Sequence, residues 1–171
     1  MERKTTSAVT IGLLASLVLI VLALVIYFAN LYTERWIQYV SIAIFGGSII
    51  WGVVNHGKET GYQATFGGLF GFGFKIVAVI TVLMVAYTIA QGFLFPEIKE
   101  KFVEQARIEA AKNPNADPNQ IEQGIQWFEK NFTMFMIFIL LFWYVISGAI
   151  AALIGAAVTK KKTPFENSFN Q

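Results

Sequence analysis

The sequence predicts an all-α integral membrane protein: four transmembrane helices, with an extracytoplasmic helical hairpin between the third and the fourth. Three observations carry that prediction. Four hydrophobic stretches, 8–28, 37–54, 76–95 and 132–158, each have about the length a helix needs to cross a bilayer. Charge is missing from all four, and Lys75 is the nearest exception if the third is extended backwards. The polar segment between the third and fourth, 96–131, carries helical periodicity of its own. Backbone polar groups in lipid must pair within their own segment, so each apolar stretch is read as a helix.

Composition agrees. The chain of 171 residues is 56% hydrophobic, too apolar for an ordinary soluble domain, and one membrane domain over 1–171 is the natural division. A net charge of +2, scattered along the chain, argues against nucleic acid as a partner. Cysteine is absent, which excludes disulfides, thiolate nucleophiles, cysteine-bound zinc and iron–sulfur clusters.

The first stretch follows Arg3 and Lys4 as a signal peptide would. It runs for about 21 residues, longer than a signal core, and a cut after Ala29 would place Tyr27 where a small residue is needed. It is therefore read as a retained first helix. Tyr27, Tyr32, Trp36 and Tyr39 crowd its far boundary and the start of the second helix, as an interfacial aromatic belt does, and Trp51 sits near the opposite one. The loop that follows holds His56, Lys58 and Glu59, and His56 is expected to face solvent.

The segment 64–75 is rich in glycine and phenylalanine. With it, the third apolar run reaches about 30 residues, roughly 45 Å as one helix, against a hydrocarbon core of about 30 Å. It therefore lies along the inner interface, enters the membrane part-way, or belongs to a tilted third span. Gly67 and Gly71 form a Gly-x-x-x-Gly pair that would let another helix approach closely, and a hinge or binding surface is the alternative. Lys75, close to a helix end, is expected to stretch its ammonium to the headgroups, with contact to an anionic lipid or a partner carboxylate as the alternative.

Beyond Pro96, Ile98, Phe102, Ala106 and Ala110 recur every four residues, with Glu97/Lys101, Glu104/Arg107 and Glu109/Lys112 as opposite-charge neighbours. Pro96 should kink or open the helix there. A turn signal at 113–116 precedes Asp117, placed as an N-cap, and Pro118 at the first helical position. Ile121, Ile125, Phe128 and Phe132 continue a stripe into the fourth span. Two helices of about 16 and 13 residues would rise roughly 24 Å and 20 Å, matched lengths for an antiparallel hairpin.

In the fourth span, Phe128, Phe132, Phe135, Phe138 and Phe142 make an aromatic ridge, read as packing or lipid-facing, or else as a greasy groove. Tyr144 adds a polar group beside it. Ser147, Ala151 and Gly155 share one line, and Gly148, Ala152 and Ala156 another, a close-packing face for which Ser48 and Gly52 offer a counterpart. Lys160, Lys161 and Lys162 follow at once. Basic flanks at both ends place both termini in the cytoplasm and 96–131 outside.

Reaction chemistry is sparse. No His-Glu-x-x-His, Gly-x-Ser-x-Gly or phosphate-cradling glycine motif occurs, and the spans lack acid and histidine relays. No cofactor or metal is expected, and no catalytic residue is assigned. The run from Gly61 through Lys75, the Phe95-Pro96-Glu97 exit, and the small-residue stretch 146–157 closed by Lys160-Lys161-Lys162 together resemble the family catalogued as domain of unknown function 4199, of small Bacteroidota-type membrane proteins. The resemblance covers nearly the whole chain. It implies four spans and a bacterial inner-membrane location, and it carries no activity. The expected role is a non-enzymatic accessory or scaffolding subunit that binds a membrane protein partner or itself, among membrane lipids. The alternative is lipid or small-solute handling in a bilayer-facing aromatic groove.

Overall fold

The structure is a computed structural model and describes residues 5–29, 31, 34–112 and 117–160. Those residues form six α-helices and no strand: α1 (Ala8–Phe28), α2 (Arg35–Glu59), α3 (Phe66–Leu94), α4 (Glu97–Ala111), α5 (Pro118–Lys130) and α6 (Phe132–Val158). Four of them, α1, α2, α3 and α6, are long and apolar enough to cross a membrane. Arg3, Lys4, Tyr32, Lys161, Lys162 and the turn at 113–116 lie outside the described residues.

α1 begins where Ser7 caps it, its hydroxyl accepting from the Val9 N–H at 3.2 Å. Ala8, Ile11, Gly12, Ala15, Ser16 and Leu19 form its buried stripe. The opposite face exposes Val9, Leu13, Leu14, Leu17 and Val18. A helix apolar on every side suits lipid or a large core, not water.

α2 runs five residues beyond the apolar stretch, so Asn55, His56, Lys58 and Glu59 are helical. It ends in a Schellman motif: the Tyr62 N–H donates to the Gly57 carbonyl at 2.8 Å and the Gly61 N–H to the Lys58 carbonyl at 3.0 Å. Gly61, at φ 63°, supplies the left-handed turn that this closure needs. Thr65 then caps α3, accepting from the Gly68 N–H at 3.1 Å.

The glycine-rich segment is the first turns of α3 itself, so the helix starts at Phe66 and not near Ile76. Gly71 and Gly73 sit inside it without a break. Pro96 does interrupt the chain: α3 stops at Leu94 and α4 opens at Glu97, with the Ile98 N–H donating to the Phe95 carbonyl at 3.1 Å. Asp117 caps α5, accepting from the Asn119 N–H at 2.9 Å, with Pro118 as the first helical residue.

The helices divide into two compact units. One joins α1, α2, α3 up to Met84 and α6 from Trp143. Its core is Ile49, Val53, Leu69, Ile76, Val77, Ile80, Ala152 and Ala156. Glycines let these helices meet: a Cβ built on Gly12 would lie 2.7 Å from Val79 Cβ, and one on Gly52 2.7 Å from Ile76 Cδ1. Buried hydroxyls are satisfied within their own helices, Ser16 on the Gly12 carbonyl at 2.6 Å and Thr81 on the Val77 carbonyl at 2.8 Å.

The other unit is Val85–Phe142. Within it α4 and α5 run antiparallel, as two ion pairs across them show: Lys99 to Glu129 at 3.6 Å and Arg107 to Glu122 at 3.3 Å. Ile125 is buried, and Phe102, Phe128, Phe132 and Phe135 gather in edge-on and tilted pairs 5.3–5.8 Å apart.

Candidate functional site

The small-residue face of α6 is packed. A Cβ on Gly148 would lie 2.5 Å from Val77 Cγ1 of α3, and one on Gly155 3.0 Å from Val53 Cβ and 3.3 Å from Ile50 Cα of α2. Ala151 is buried beside them. Ser147 is only half-buried, and its hydroxyl donates to the Trp143 carbonyl of its own helix. Gly67 and Gly71 are placed differently. A Cβ on either would meet nothing within 4 Å. The glycine of α3 that packs is Gly73, whose Cβ would lie 2.7 Å from Val53 Cγ2 and 2.8 Å from Ala152 Cβ.

The aromatic ridge divides in two. Phe135 joins the cluster at the base of the hairpin, 5.3 Å from Phe128 and 6.5 Å from Trp127. Phe138 and Phe142 are 67% and 63% exposed, a bare apolar surface. Tyr144 lies edge-on to Phe45, ring centroids 4.8 Å apart. With Ser41, Ile42, Trp143 and Ser147 the pair lines a cleft of about 70 Å³. Ligand pockets for small molecules run to about 300–1,000 Å³, so this cleft has room for a few waters only. Lys75 is exposed on α3.

The structure shows a polar cluster that the sequence reading missed. Glu59, the last residue of α2, accepts from the Thr6 N–H at 2.7 Å, the Thr6 hydroxyl at 2.8 Å and the Asn55 amide at 2.7 Å. An anion at a helix C-terminus opposes the macrodipole, and these three donors offset that. His56 is not the solvent-facing loop residue the sequence suggested. Its ring stacks on Phe72 of α3 at 3.8 Å between centroids and 5° between planes. The extra helical turn of α2 carries it there, and its Nδ1 is buried without a hydrogen-bond partner among the described residues. The one available signal was the Asn55/Glu59 spacing of four, which marks a shared helix face.

On the hairpin, Pro96, Lys99, Glu100, Val103, Glu104, Arg107 and Glu129 line a groove of about 410 Å³. Lys99 and Arg107 are tied to carboxylates of α5. Phe102, Ile108 and Trp127 stay half-exposed around the hairpin. Such a surface presents charge and apolar area together. Among the described residues, no three histidine, aspartate or glutamate side chains cluster as metal ligands.

No curated protein and no solved structure matches the chain. A family model does, and it covers both compact units almost in full. Matching from residue 10 to residue 161, the chain belongs to the family described as protein of unknown function DUF4199.

Proposed function

We propose that this chain is a non-enzymatic multi-pass protein of a bacterial inner membrane that serves as an accessory or scaffolding subunit, binding a membrane partner or a second copy of itself. In this reading α1, α2, α3 and α6 cross the bilayer, both termini are cytoplasmic, and the α4–α5 hairpin stands outside. The observation that carries it is the hairpin: two amphipathic helices held together by Ile125, an aromatic cluster and two ion pairs, with a charged groove of about 410 Å³ on their surface. Four packed spans need only a short connection between the third and fourth. A folded hairpin there supplies an interaction surface.

Replacing 97–130 with a short Gly/Ser linker tests this reading. The variant should still insert, and affinity purification from native membranes in mild detergent should lose a stoichiometric protein partner that the full chain retains. Recovery of the full chain as a monomer without any partner, or of the same partner with both chains, overturns it. Lipid or small-solute handling is the competing reading. Exposed Phe138 and Phe142 suit lipid contact, but the cleft at Tyr144 is too small for a ligand.

A further inference from the structure

On the hairpin, three of the five described cations, Lys99, Arg107 and Lys112, each have a carboxylate within 3.6 Å. In the other unit, Lys58 lies in the last turn of α2, Lys75 lies in α3 and Lys160 follows α6, all three exposed and none with an ion pair among the described residues. They share one end of that unit. The close approach of Gly57 to Thr159 and Leu69 brings the end of α2 to the end of α6 and the start of α3. Glu59 is the one carboxylate described at this end, and its oxygens are engaged by Thr6 and Asn55. Among the described residues, this end therefore carries three outward-facing lysines against one carboxylate, a net excess of two positive charges.

Their level is set by the helix packing. Gly12 meets Val79, and α1 and α3 both run antiparallel to α2, so they run the same way. Four residues back along each helix, Ala8 and Lys75 stand at one level. That is where α1 changes from Thr5, Thr6 and Ser7 to a predominantly apolar run without charge. Trp51, 60% exposed, lies close by in level, since its neighbour Gly52 packs on Ile76. Interfacial tryptophans sit at headgroup depth, and a lysine there reaches phosphate oxygens with its stem in the apolar layer.

The geometry points to an anionic-phospholipid site on this end of the unit, with Lys75 as the contact at phosphate depth and Lys58 and Lys160 as outer contacts. The inference rests on the proposed insertion of the four helices and not on the hairpin's partner role. A lysine near an anionic bilayer surface contributes about 1 kcal/mol, or about fivefold in relative affinity.

Native mass spectrometry of the purified full chain, released from micelles holding equal phosphatidylcholine and phosphatidylglycerol, reads the bound lipids directly. Phosphatidylglycerol adducts should exceed phosphatidylcholine adducts. Lys75→Gln should lower that ratio about fivefold, Lys75→Arg should keep it, and Lys58→Gln with Lys160→Gln should lower it further. Raising the salt from 0.05 M to 0.5 M with the unaltered chain should also collapse the ratio, a readout that depends on no variant's folding. A wild-type ratio of one, a ratio unchanged in a folded Lys75→Gln protein, or a ratio that survives salt overturns the site. Flotation with neutral phosphatidylcholine vesicles separates the two readings: a chain that floats but shows no phosphatidylglycerol preference in the mass spectra overturns this inference alone, and one that does not float overturns the insertion as well.

Discussion

Gly71 and Gly73 stand two residues apart on one helix and meet opposite surroundings. A Cβ at Gly73 would press on Val53 and on both Ala152 Cβ and, at 3.2 Å, the Ala152 Cα, so backbone as well as side chain must give. Gly73→Ala should therefore destabilise the protein by about 1–3 kcal/mol, the usual cost of overpacking. Gly71→Ala meets open space and gains helix propensity, so it should be neutral or stabilising by up to about 1 kcal/mol. Thermal melts in detergent check both, and equal effects at the two positions would contradict the packing described. The sequence could not separate these glycines. Spacing tells which residues share a face, and not which face finds a neighbour. Gly148 and Gly155 were legible because a whole face of α6 is small, whereas Gly73 stands alone between Phe72 and Phe74. His56 and Glu59 were missed for a related reason. A span read by hydropathy stops at its last apolar residue, but a helix stops where its hydrogen bonds do. Here Asn55, Thr6 and the Phe72 ring give the polar turn partners that hold it in the helix.

At the level of elements, the hairpin was the most legible part. Asp117 followed by Pro118 is a local start signal, and the structure uses both as caps do. The charge pairing was only half legible. Neighbours along α4 could be counted from spacing, and Glu109 with Lys112 at 2.7 Å is one of them. The pairs that join α4 to α5, Lys99 to Glu129 and Arg107 to Glu122, depend on the register of the two helices, which no local pattern encodes. Those pairs are about half exposed and each contributes roughly 0.2–1 kcal/mol. Ile125, at 5% exposure, is the residue on which the hairpin's own core depends. Ile125→Asn should raise hydrogen exchange across α4 and α5 by at least tenfold, while the amides of α1 keep their protection. Removing a buried branched side chain costs about 2–5 kcal/mol, more than both ion pairs together can offset. Unchanged exchange in α4 would mean that the two helices do not depend on each other.

For the whole molecule, the four apolar helices were legible from hydropathy alone, because lipid imposes one rule on every residue of a span. The division into two compact units was not legible, since α3 and α6 each pass through both without a break in sequence pattern. Orientation rests on charge. Lys58, Lys75 and Lys160 gather at one end of their unit, while acidic and basic side chains interleave on the hairpin. Basic clusters beside spans stay in the cytoplasm, so the turn holding Gln63 should be inside and α5 outside. The absence of cysteine makes this directly measurable, because any introduced thiol is unique. Gln63 and Gln123 are both exposed. A membrane-impermeant maleimide applied to cells with a permeabilised outer membrane should label Gln123→Cys and leave Gln63→Cys untouched until the inner membrane is lysed. The reverse pattern would place the lysine-rich end outside and remove the anionic cytoplasmic leaflet as its counterpart. Labelling of both before lysis would show that the chain does not keep its two ends on opposite sides of one bilayer.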